Sequence, residues 1–191
     1  MPTTQENLAT AFAGESQANR KYLAFARQAE KENLPQIAKV FRAAAEAETI
    51  HALAHLRNMG GVKSTLENLE AAVAGETYEA KEMYPPMAAQ AKAEGHPAKT
   101  MLEWAGKAES VHAELFQQAL AALKSGADLS QMEVYLCPAC GHLEFGKPPD
   151  RCPICNAVTG VIHRKADGRE FLAMTMDNNP YLFHSALWLL V

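Results

Sequence analysis

The chain has 191 residues, 48% of them hydrophobic and 21% charged, with a formal net charge of −4. This is a soluble globular composition, long enough for one ordinary domain plus a small one, and the charge gives no reason to expect nucleic acid or an anionic membrane as partner. No apolar run approaches the roughly 20 residues that span a bilayer, and the N-terminal MPTTQENLAT lacks the basic and apolar parts of an export signal.

Residues 1–126 read as four helices. Thr3-x-x-Glu6 is a capping box, and apolar residues follow at helical spacing. This first helix is expected to stop near Asn33-Leu34, before Pro35, which suits the first turn of a second helix running to Gly60-Gly61. Ser64-x-x-Glu67 is a second capping box and opens a third helical stretch, which Pro85-Pro86 is expected to kink or interrupt just after Tyr84. Gly95-His96-Pro97 precedes a fourth helix that ends near Ser125-Gly126. Four helices on short connections predict a bundle. Residues 127–134 are polar and read as a linker. From 135 to 170 helical periodicity is lost, and cysteine, proline and glycine mark a small loop-rich metal module. Residues 171–191 form an apolar tail of unassigned role, expected to dock on the bundle or on another subunit if it is native.

The helices contain a repeat. Glu48-x-x-His51 in the second helix and Glu109-x-x-His112 in the fourth are offset by 61 residues. The same offset relates Glu15, in FAGES, to Glu76, in VAGET. One helical hairpin therefore occurs twice, with a glutamate on its first helix and Glu-x-x-His on its second. Residues three apart share a helix face. A lone Glu-x-x-His is most often a surface ion pair, but two copies in register with two solitary glutamates predict a metal site. Four glutamates and two histidines in a bundle core are the ligand set of ferritin-like di-iron and di-manganese proteins. Hard carboxylates and imidazoles suit iron or manganese, and divalent cations remove the cost of burying several carboxylates. Glu15, on an otherwise small and apolar face, is thereby explained.

The copies differ at one place. Glu79 follows Glu76 at i+3, whereas Ala18 follows Glu15. A fifth carboxylate offers an alternative oxygen ligand to one metal and favours its oxidised state. His55, four residues after His51, lacks a counterpart because Phe116 stands at the repeat position; it reads as structural or as a neighbour of the site. Trp104, Phe41 and Met101 read as core.

All four cysteines lie in CPAC and CPIC: Cys137, Cys140, Cys152 and Cys155. Two such pairs without an export signal predict a tetrahedral four-sulfur metal site in a reducing cytoplasm rather than disulfides. Spacing alone leaves iron and zinc open; the neighbouring di-metal bundle favours iron, with zinc the alternative.

Over about residues 5–170 the chain resembles the rubrerythrins, through the repeated Glu and Glu-x-x-His, the added Glu before EMYPP, and the C-terminal rubredoxin-like knuckles. The resemblance implies an all-α ferritin-like four-helix bundle with a small loop/β rubredoxin-like domain. It also implies a non-haem di-iron peroxidase that reduces hydrogen peroxide to water in the cytoplasm. Two irons would sit in the bundle and one in the cysteine site. By the resemblance, Glu15, His51 and Glu79 hold one iron, Glu76 and His112 the other, and Glu48 and Glu109 bridge; one iron moves between His51 and Glu79 as its redox state changes. Tyr22 and Tyr84 fall where the family places tyrosines beside the site. A head-to-tail homodimer is implied, with one subunit's cysteine site serving the other's di-iron site, and so is a rubredoxin-type or NAD(P)H-dependent electron-donor protein. One departure is Asn156 after Cys155, where the family usually has glycine; asparagine tolerates the left-handed backbone a knuckle needs. The competing readings are a ferritin-like ferroxidase or iron-binding protein with a structural zinc ribbon, an oxygen-activating hydroxylase, and a zinc-ribbon interaction protein.

Overall fold

The structure is a computed structural model that describes residues 1–158 with their side chains and residues 160–166 and 169–175 by their backbone. The chain forms two compact units, Met1–Ser64 and Thr65–Val191.

The first unit is a helical hairpin of α1 (Thr4–Lys31) and α2 (Pro35–Asn58). The Thr3 capping box forms as its sequence predicts: Thr3 accepts from the Glu6 amide while Glu6 reaches back to the Thr3 backbone. Asn33, at φ +58°, ends α1, and Pro35 opens α2. The buried residues explain the pairing of the two helices. Asn19 and Ala26 on α1, and Ala38, Ala45 and Ala52 on α2, recur every seven residues. Small side chains at that interval let two helices approach closely along one seam. The approach is close enough for Asn19 Nδ2 to donate to the Ala45 carbonyl at 2.6 Å and to Thr49 Oγ1 at 2.8 Å.

The second unit begins with α3 (Thr65–Tyr78), directly after Ser64. The chain then runs through a π-turn (Glu79–Met83) into α4 (Tyr84–Ala93) and, after Gly95, into α5 (Lys99–Lys124). The third helical stretch is thus interrupted before Tyr84 and not after it, where the prolines lead one to expect the disturbance. The irregularity lies before them, and the helix continues. Pro85 and Pro86 have no N–H for the carbonyls one turn earlier, and their rings crowd that turn. The chain widens there instead, and the Tyr84 amide donates five residues back to the Glu79 carbonyl. α3, the π-turn and α4 all pack along α5.

Residues 125–133 carry no helix or strand. The cysteine module follows with β1 (Val134–Leu136) and β2 (Leu143–Phe145), an antiparallel pair in the register Tyr135 to Glu144. β3 (Gly160–Ala166) and β4 (Arg169–Thr175) complete a sheet in the order β2-β1-β4-β3, with β4 parallel to β1. The apolar tail read from 171 therefore begins inside β4, and residues 176–191, on which the expected docking falls, lie outside the described residues. Among the described residues no helix is long and apolar enough to cross a membrane.

Candidate metal centres

Each hairpin of the repeat gathers its own triad. In the first unit the ligand atoms of Glu15, Glu48 and His51 lie within 4.8 Å of one another. α1 supplies Glu15, and one turn of α2 supplies the other two. His51 Nδ1 is 3.0 Å from Glu48 Oε2, with the imidazole more than half exposed. A hydrogen bond shared with Glu48 holds the Glu15 carboxyl above its ordinary pKa; His51 and His55 are near enough to oppose that rise. Two carboxyls in contact must share a proton unless a cation takes its place.

The second unit repeats the arrangement with Glu76 of α3 and Glu109 and His112 of α5, again within 4.8 Å. His112 Nδ1 lies 2.6 Å from Glu109 Oε2 and 3.4 Å from Glu76 Oε2. Burial, and then the hydrogen bond with Glu76, push Glu109 up to about 6. Glu79 stands outside this trio of ligand atoms but close by, since its charge helps raise both Glu109 and Tyr84. It is the first residue of the π-turn. Tyr84, the first residue of α4, is held protonated by burial first, then by the charges of Glu109, Glu79 and Glu76. It reaches α5 where Gly106 leaves room: a Cβ at Gly106 would meet Tyr84 Cβ at 2.9 Å. Tyr22 packs in an aromatic group with Phe25 and Phe41, 6.3 Å from each ring centroid.

The four cysteines are free thiols, three of them fully buried. Their loops are near copies. In the first, the Cys137 amide donates to the His142 carbonyl and the Gly141 amide to the Cys137 carbonyl; in the second, Cys152 donates to Ala157 and Asn156 to Cys152. Gly141 and Asn156 are both left-handed, at φ +84° and +61°, so asparagine fills the position as the sequence argument requires. Sγ of Cys137 and Cys155 are 3.6 Å apart, and those of Cys140 and Cys152 3.5 Å. A disulfide needs about 2.05 Å. The edge of a tetrahedron with metal–sulfur bonds of about 2.3 Å is about 3.8 Å, which these separations approach. Without a cation the thiols compete for protons: a hydrogen bond from Cys140 lowers Cys137 to about 5 and raises Cys140, while burial lifts Cys155 to about 11. The donor set and its spacing fit a tetrathiolate metal.

Two features escape the sequence. Trp104, read there as core, packs against the cysteine cluster from α5. His112 Nε2 lies 2.9 Å from the Gly141 carbonyl. Both contacts depend on how α5 meets the module, which no periodicity encodes.

Helices bearing carboxylate–histidine triads, joined to a tetrathiolate module with a short sheet, define a metalloprotein of the ferritin-like class with a rubredoxin-like appendage. Residues 6–120 match the rubrerythrin family, to which the chain belongs. It is 34% identical to rubrerythrin-2 of Clostridium acetobutylicum, covering 80% of this chain and 91% of that one. It is 38% identical to nigerythrin of Nitratidesulfovibrio vulgaris, covering 80% and 82%. A solved structure of nigerythrin in its fully reduced, all-ferrous state aligns at 34% identity and a TM-score of 0.48, over 83% of this chain and 84% of that one.

Proposed function

We propose that the protein is a non-haem di-iron peroxidase that reduces hydrogen peroxide to water, with electrons entering through an iron at the four cysteines. The observation that carries this reading is the pair of Glu-Glu-His triads, one per repeat, on the same chain as a tetrathiolate site. Glu15, Glu48 and His51, together with Glu76, Glu109 and His112, would hold two irons, and the cysteines a third. Iron suits both donor sets. Ferrous iron would supply the two electrons that cleave the O–O bond.

The chain's own residues do the rest. The carboxylate pairs neutralise the cations and bind them without reducible ligands. Glu79, one turn from Glu76, offers an additional oxygen ligand. Tyr84 keeps its phenolic proton and stands ready to donate a hydrogen bond to an oxygen at the second triad. A homodimer, a rubredoxin-type or NAD(P)H-dependent electron donor and a reducing cytoplasm complete the proposal.

The test is peroxide consumption by the iron-loaded protein with a reduced rubredoxin-type donor, compared with Cys155→Ser. Sustained turnover is expected from the first and not the second. Equal turnover by both would remove the cysteine site from the reaction, and no turnover by either would remove the peroxidase.

A further inference from the structure

The two cysteine loops present two equivalent carbonyls, at Gly141 and Asn156, and these have different partners. Asn156 O accepts from Arg151 Nη1 at 3.2 Å, within the module. Gly141 O is 2.9 Å from Nε2 of His112, on α5 of the same unit. A carbonyl has no proton to give, so Nε2 carries the hydrogen. Nδ1 shares a hydrogen with Glu109 at 2.6 Å, and a cation that takes that hydrogen's place meets the Nδ1 lone pair. That atom faces Glu109 and Glu76, where a cation would sit. Trp104, two turns earlier on α5, packs on the same cysteine cluster and gives the contact a second anchor. The repeat counterpart is held differently: the His51 side chain is 55% exposed, against 16% for His112.

We propose that the Gly141 carbonyl is a positioning group for His112 of its own chain: it fixes the Nε2-protonated tautomer and the ring's aim, so that filling the cysteine site raises metal affinity at the Glu76–Glu109–His112 triad. The loop that carries Gly141 is closed by Cys137 and Cys140, and its shape depends on what those sulfurs hold. A metal there fixes the carbonyl; an empty site releases it. Coupling of this kind is reciprocal, so metal at the triad also tightens the cysteine site. Partners that orient a ligating histidine typically change metal affinity about 10–100-fold. The inference rests on the metal reading of both sites but not on iron or peroxide.

The experiment uses the full chain with zinc in the cysteine site, the triads cleared of metal, and 15N-labelled histidine. Manganese(II) is the probe, because it prefers carboxylate and imidazole over thiolate. The ring shifts of His112 should report a hydrogen on Nε2. Its signals should broaden at about 10–100-fold lower manganese in the zinc-loaded protein than in Cys155→Ser. Arg151→Ala, which frees the equivalent carbonyl of the other loop, should leave that midpoint unchanged. A bare Nε2 in the zinc-loaded protein overturns the proposal without any variant. So does an equal manganese midpoint in Cys155→Ser with its helicity intact. Mixing labelled and unlabelled chains decides the wiring: contacts between the His112 ring and the Gly141 loop should be intrachain, and interchain contacts, as a head-to-tail arrangement would give, overturn the same-chain link.

Discussion

Two glycines of the second unit offer a matched pair of perturbations. Gly75 on α3 has nothing within 4 Å of where a Cβ would stand, whereas at Gly106 on α5 that Cβ would meet Tyr84 Cβ at 2.9 Å and Cγ at 3.6 Å. Both atoms sit next to the backbone of α4, so relief requires shifting a helix rather than a side-chain tip. Exchanging an interior helical glycine for alanine gains about 0.8–1 kcal/mol from propensity alone, while overpacking costs about 1–3 kcal/mol. Gly75→Ala should therefore stabilise the protein by about 1 kcal/mol, and Gly106→Ala should be between neutral and about 2 kcal/mol destabilised. Propensity cancels in the difference, which isolates the Tyr84 contact at about 1–3 kcal/mol. For a chain of this size that separates the two melting temperatures by roughly 2–12 °C. Thermal unfolding of the metal-free variants, followed by circular dichroism, measures it. If Gly106→Ala melts together with Gly75→Ala, Tyr84 does not lie against Gly106, and its place beside the second triad is lost as well.

Three further outcomes are expected. Because Glu109 is raised to about 6 from 4.5, the native state of the metal-free protein binds more protons than the unfolded chain between those values; its contribution to stability is present below about pH 4.5 and lost as pH rises through 6, whereas a bound cation reverses the slope by competing with the proton. Urea midpoints across that window, with and without manganese, check the sign. Asn19→Ala removes two interhelical hydrogen bonds of 2.6 and 2.8 Å and should cost about 1–3 kcal/mol, read as a lower denaturation midpoint; an unchanged midpoint would make the α1–α2 seam purely apolar. Glu79→Ala should keep two metals per bundle while raising the di-iron potential and slowing oxidation of the ferrous protein by peroxide, and an unchanged rate and potential at full occupancy would place Glu79 outside the ligand set.

The legible parts of this molecule were those written in short-range spacing. The 61-residue offset placed Glu15 with Glu48 and His51, and Glu76 with Glu109 and His112, because each triad needs just two packed helices. Asn156 after Cys155 betrays a left-handed position by residue type and occupies it, and Asn33, where the first helix is expected to stop, is left-handed too. Alanines at intervals of seven could have exposed the α1–α2 seam, but alanine is common enough in helices to be passed over. The interruption expected after Tyr84 lies before it, at Glu79–Met83, because prolines announce a disturbance without fixing which side of them absorbs it. The bond from His112 to Gly141 and the seat of Trp104 against the cysteines were not legible at all. They join residues about 30 positions apart through a backbone carbonyl and a packing surface, and neither leaves a mark on side-chain pattern.

The central claim is that the two triads hold redox-active iron whose substrate is peroxide. Anaerobic, fully ferrous protein should be titrated with hydrogen peroxide, with iron content and oxidation state followed together. Two irons are expected for the triads and one for the cysteines. One equivalent of peroxide should oxidise the triad irons rapidly, faster than dioxygen does, without release of oxygen gas. Iron accumulating beyond that number, or oxidation faster by dioxygen than by peroxide, would contradict it and favour an iron-oxidising store.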